Sequence, residues 1–142
     1  MACPLFLPSS PLVETGAIAP PLGDLYDGAC AGDASAAIDA DMVRRFCNYG
    51  YARERCVRAA QSEVDAVRLL VRGDRFGMVQ IAWSTERNHH PVAVGQVEVD
   101  SLAGPVGVDV LAHQAHACAA AYVRKTRGVA GLVDRNDAAV HR

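Results

Sequence analysis

Between Val67 and Val99 the chain alternates apolar and polar residues. Val67, Leu69 and Val71 interleave with Arg68 and Arg72, and after a turn spanning Gly73 to Gly77 the alternation resumes with Val79, Ile81 and Trp83 against Gln80 and Ser84. A period of two puts each set on one face of a strand, so the segment predicts an antiparallel hairpin. A third strand, about 92 to 99, follows the turn Asn88-His89-His90-Pro91, with Gly95 as a candidate bulge.

On either side of this region the period lengthens. Ile38, Met42 and Phe46 recur every four residues, which predicts a helix from about 35 to 48, capped by Asp33 or Ser35. Asp39 and Asp41 lie at its amide end, Arg44 and Arg45 at its carbonyl end, and Asn48 and Gly50 supply the stop, which puts Cys47 in the last turn. Residues 51 to 61 have the makings of a second short helix. Gly104-Pro105 opens a long helix reaching about 127, where Gly128 is placed to cap it. Val110, Ala115, Cys118, Ala119 and Tyr122 form its core-facing stripe, and Arg124, Lys125 and Arg127 suit its carbonyl end.

Residues 1 to about 33 follow neither period. Prolines and glycines punctuate them, which predicts an irregular segment with little helix or strand of its own. The expected fold is α+β: a three-stranded antiparallel meander packed by a long C-terminal helix, with an irregular Cys-bearing N-terminal segment and one short helix. The boundaries are a single domain over 1–128, divided into a Cys-bearing part (1–61) and the meander with its helix (62–128), followed by a flexible tail, 129–142.

Composition fits one small soluble domain with a thin core. Of the 142 residues, 51% are apolar but many of those are alanine, and only 6% are aromatic. A chain of this kind gains usefully from a metal staple. The net charge of −2 offers no global attraction to nucleic acid or anionic lipid. Lys125 is the single lysine, which reads as the coding bias of a GC-rich bacterial genome and removes most Schiff-base and phosphate-lysine mechanisms. The N-terminus MACPLFLPSSPLV lacks a basic n-region and is broken by Pro4, Pro8 and Pro11, so the expected compartment is the cytoplasm, with no direct membrane insertion.

In a reducing compartment clustered cysteines are thiolate ligands or buried thiols rather than cross-links. Four of the five, Cys3, Cys30, Cys47 and Cys56, fall in the first 56 residues, with 26, 16 and 8 residues between successive members. That spacing lacks the C-x2-C pairs of most zinc fingers and ribbons. An iron–sulfur core is larger and collects thiolates from separated loops, and amides in turns such as Cys3-Pro4, Gly28-Ala29-Cys30 and Cys47-Asn48-Tyr49-Gly50 can bond its sulfurs. Arg53, Arg55 and Arg58 flank Cys56, where they offset the charge of an anionic cluster or simply form a solvated face.

Other candidates are weaker. Cys118, mid-helix between alanines, reads as a packed structural thiol and is left out of the set. His113 and His116 are three apart on a helix but lack the HExxH pattern. Glu86, His89 and His90 meet at a strand end, where proton transfer is within their chemistry, although a polar hairpin loop accounts for them more simply. No nucleophile elbow, phosphate-binding loop or dinucleotide fingerprint follows any predicted strand, so a complete enzyme is not expected. The sequence reading is a small [4Fe–4S] protein with ligands Cys3, Cys30, Cys47 and Cys56, serving a larger redox protein or complex in electron transfer or as an accessory subunit. Its alternative is a zinc-stapled or metal-free protein-interaction module.

Overall fold

The computed structural model describes residues 1–12, 20–33, 37–105, 107 and 109–140, with side chains described up to Thr126. In chain order its elements are β1 (Phe6–Pro11), β2 (Tyr26–Cys30), α1 (Ala40–Met42) leading directly into a π-helical turn (Val43–Cys47), a 3-10 turn (Ala59–Gln61), β3 (Ala66–Arg75), β4 (Met78–Arg87), β5 (His90–Asp100) and α2 (Val110–Val140). The three-stranded antiparallel sheet β3-β4-β5 packs against α2, and β1 pairs with β2 as a separate antiparallel ribbon. The fold is α+β, as the hydrophobic periods predict.

The meander follows the alternation closely. Val79 and Ile81 are buried on its inner face with Leu69, Val71, Val97 and Val99 beside them, while Arg68, Leu70 and Arg72 point outward. Each connection is a two-residue turn with left-handed backbone at both positions, Phe76-Gly77 and Asn88-His89. That geometry matches the right-handed twist of the flanking strands. Gly95 is not a bulge: a Cβ there would lie 2.5 Å from the Trp83 ring, so the glycine makes room for the indole opposite. The irregularities fall instead between Val71 and Gly73 and between Thr85 and Glu86.

The N-terminal segment departs from expectation. The prolines that argue against strand occupy a ribbon of two strands, with no third described strand beside them, where a missing amide costs no ladder bond; Pro8 faces Gly28 and Pro11 faces Tyr26. The first helix is shorter than predicted: Asp39, not Asp33 or Ser35, caps it, its carboxylate accepting from the Asp41 amide at 2.7 Å. Ser35 lies outside the described residues. Asn48 and Gly50 do end the helix, since left-handed Gly50 (φ 75°) returns its amide to the Phe46 carbonyl at 2.8 Å.

Helix α2 also starts later. Asp109 caps it, with the Leu111 amide donating to its carboxylate at 3.1 Å, and Gly104-Pro105 stays outside. It continues through Gly128 rather than stopping there. The helix is buried on two sides, not along one stripe: Ala115, Cys118 and Ala119 meet the meander, whereas Ala117 meets Phe6, Leu22 and Tyr26 of the N-terminal layer. Alanines on both sides let the two layers approach the helix closely. Phe6, Leu22, Val79 and Ile81 are the largest apolar side chains fully enclosed, each worth roughly 2 kcal/mol of burial.

Polar ties hold the N-terminal layer in place. Buried Asn48 accepts from the Tyr26 amide (3.0 Å) and donates to the carbonyls of Tyr26 (3.0 Å) and Val43 (2.7 Å), joining β2 to the π-helical turn. The Tyr26 hydroxyl donates to the Ala117 carbonyl and accepts from Arg124, both at 2.7 Å. Removing the Asn48 amide strands buried backbone groups, so Asn48→Ala is expected to cost about 3 kcal/mol, read as a lower urea midpoint at unchanged m-value.

Candidate metal centre

The four cysteines named from sequence arrive from four separate segments of the chain and line one cavity of about 250 Å³. Cys3 is fixed by neighbours on both sides: Ala2 exchanges amide and carbonyl bonds with Val67 of β3, each 2.8 Å, and the Cys3 amide donates to the Cys47 carbonyl at 3.0 Å. Cys30 ends β2 opposite Phe6, and the next residue, Ala31, donates to the Leu5 carbonyl at 2.7 Å. Cys47 closes the π-helical turn, an arrangement often found where a helix serves a site. Cys56 is reached by a single helical turn, its amide bonded to the Ala52 carbonyl at 2.8 Å, and leads into the 3-10 turn.

The remaining wall is mostly apolar. Ile38, Met42 and Phe46, the four-residue repeat that predicts a core-facing helix stripe, line this cavity together with Leu5 and Phe6. Of the three arginines flanking Cys56, only Arg58 lines it. Arg53 is strapped away by Asp65 (2.9 Å) and by the carbonyls of Ala60 and Ser62, and Arg55 is exposed. The Arg58 Nη1 is buried with no hydrogen-bond partner.

Electrostatics separates the thiols. Burial pushes Cys47 up to about 12, and the nearby Cys3, Cys30 and Cys56 add to the shift while Arg58 opposes it. Burial likewise raises Cys3 to about 11, against the amides of Leu5 and Phe6 that bond its sulfur. At Cys56 burial also resists ionisation, but the amides of Ala59 and Arg58 and the Arg58 guanidinium outweigh it and lower the pKa. Cys3 and Cys56 share one device: the amides two and three residues ahead converge on the sulfur, a small anion-binding nest. Sequence reading sought such amides in the glycine-rich turns; they come from the residues following each cysteine.

Among the described residues, no group of three or more His, Cys, Asp or Glu side chains is arranged to hold a metal ion. Cys118 stands apart, buried against Val79 and Ile81, where burial raises its pKa to about 11. The histidines are dispersed. His113 Nε2 lies 2.8 Å from the Gly107 carbonyl, His116 borders a groove beside β5, His90 is exposed, and His89 stacks on Tyr51 at 4.4 Å. Buried Glu86 accepts from the Tyr51 hydroxyl and from Arg68, both at 2.7 Å, and these bonds hold its carboxyl below the usual range. It is a structural anchor at the strand end rather than a free base. No helix among the described residues is long and apolar enough to cross a membrane. Comparison with family models, curated proteins and solved structures returns no match, so the site is argued from this chain alone.

Two outcomes follow for the metal-free protein. Cys56 is expected to react first with iodoacetamide near neutral pH, with Cys3, Cys47 and Cys118 protected until the chain unfolds; peptide mapping after timed alkylation reads the order. Because those three thiols hold their protons above the ordinary thiol value of 9.0, the unfolded chain ionises before the folded one. Stability is therefore intact below pH 9 and falls as pH rises toward 11–12, seen as a declining melting temperature across that window.

Proposed function

We propose that the protein binds one [4Fe–4S] cluster through Cys3, Cys30, Cys47 and Cys56 and exchanges electrons with a larger redox protein. The observation that carries this reading is the convergence of four thiols from four separate segments on one apolar cavity that also holds an unpartnered guanidinium nitrogen. The donor set suits the group: soft thiolates select iron–sulfur, zinc or cuprous sites.

When bound, the cluster supplies reversible one-electron chemistry, and the chain's own residues hold and tune it. Cys56, whose pKa is lowered, gives up its proton more readily than Cys3 and Cys47, whose protons must leave on binding, so loading is favoured as pH rises. Arg58 offers an N–H and a positive charge to an otherwise anionic site, and Ile38, Met42 and Phe46 limit water. Cys47 and Cys56 are only partly buried, which gives an electron partner its nearest approach.

One observation favours the metal-free reading, an interaction module: thiols with raised pKa are neutral at physiological pH and pack as small apolar groups. Anaerobic purification and reconstitution with ferrous iron and sulfide separates the readings. A brown protein with iron and acid-labile sulfide in equal amounts, about four of each, is expected; a colourless protein, or one holding zinc alone, overturns the cluster. Cys47→Ser should lose the chromophore and Cys118→Ser keep it. Arg58→Gln should retain the cluster but lower its midpoint potential by on the order of 50 mV, since removing a positive charge favours the oxidised form.

A further inference from the structure

Cys3 and Cys47 share more than a cavity. The Cys3 amide donates to the Cys47 carbonyl at 3.0 Å, so ordinary backbone bond lengths hold the two α-carbons within about 7 Å of each other. Two cysteines become unbridgeable only beyond that separation, or when their side chains point apart. Here both side chains turn into the same cavity, and burial aside, the largest influence on the Cys47 thiol is Cys3. The backbone on each side is already fixed: Ala2 exchanges two 2.8 Å bonds with Val67, and Asn48 donates to the Val43 carbonyl at 2.7 Å. Among the described residues no other two cysteines share a backbone hydrogen bond, and all five are free thiols.

We propose that a hydroperoxide closes Cys3 and Cys47 of the cluster-free chain into a disulfide, a redox latch that shuts the cavity against metal. The reaction balances within the pair. One sulfur takes the distal peroxide oxygen as the O–O bond breaks, and its proton leaves with the other oxygen as an alcohol or water. The second sulfur then displaces the hydroxyl of that sulfenic acid, the S–S bond forms, and water leaves with the second proton. The two thiols give up two electrons, and the peroxide takes them. The closed ring encloses β1, β2 and α1, so the latch replaces metal as the tie across the N-terminal layer while removing two of the four ligands. Reductant reopens it. Closure stands on the geometry of the pair alone; its effect on loading rests on the cluster reading.

The test treats the full chain, prepared without iron, with hydrogen peroxide. Trypsin together with Asp-specific cleavage places all five cysteines on different peptides, and mass spectrometry is expected to find the Cys3 peptide linked to the Cys47 peptide. The double variant Cys30→Ser with Cys56→Ser, which keeps the pair but cannot supply four thiolates, should close the same bond. Peroxide-treated wild type should take up at least roughly tenfold less iron and sulfide than untreated chain, and dithiothreitol should restore uptake. A linkage between other cysteines, or oxidation that ends in sulfinic acid with no linked peptides, overturns the latch. Unchanged iron uptake by the closed chain overturns its role in loading. A reduced chain that closes the Cys3–Cys47 bond yet takes up no iron and sulfide upholds the latch and overturns the cluster instead.

Discussion

The arrangement of the N-terminal half depends on one side-chain amide. Gln114, fully buried in α2, donates through Nε2 to the carbonyls of Cys3 (2.7 Å) and Phe6 (2.9 Å), contacts that span 111 and 108 residues of sequence. Each bond is worth on the order of 1 kcal/mol net, and leaving the two carbonyls buried without a donor would cost more. Closing so long a loop carries an entropic cost that local contacts cannot offset, so the pinning is most effective once α2 and the meander already present a finished surface. With Ala2 held on β3 and Phe6 held on α2, Cys3 between them has little freedom. The placement of the first thiol is therefore a property of the tertiary fold, not of its own turn.

That dependence explains which parts of the structure were legible in the sequence. The meander was, because its code is local: Val79, Ile81 and Trp83 alternate within one strand, and a period of two has one geometric meaning. The β1–β2 ribbon was not, because Pro8 and Pro11 argue against strand unless it is known that the strand has a free edge, and that edge is decided by partners far along the chain. The alanines of α2 hid a second buried face for a related reason. Ala117 gives no stripe by itself, yet it lies beneath Tyr26, whose hydroxyl reaches its carbonyl.

For the candidate site the grouping was legible and the geometry was not. The sequence separates Cys118 from the other four by helical context, and the structure buries it in the other core cluster, against Val79 and Ile81. What no spacing rule states is that Ile38, Met42 and Phe46 wall the cavity, or that Arg58 lines it while Arg53, five residues earlier, is committed to Asp65 and two carbonyls. Those assignments turn on how residues 52–62 coil, which short-range propensity leaves open.

The cavity holds two opposed strains. Its thiols at Cys3 and Cys47 are held neutral by burial, while Arg58 brings a cation whose Nη1 has no acceptor. A wholly apolar pocket would leave the thiols content but not the guanidinium; a water-filled one would satisfy the guanidinium but lower the thiol values toward their ordinary range. The proposed cluster, bonded to the four thiols and accepting from Arg58, would relieve both strains at once. Binding energy of that kind would be folding energy, because Cys3 and Cys47, which line the cavity, are also tied to each other through the Cys3 amide and the Cys47 carbonyl. A small alanine-rich core with long-range pins is the sort of fold that gains most from it.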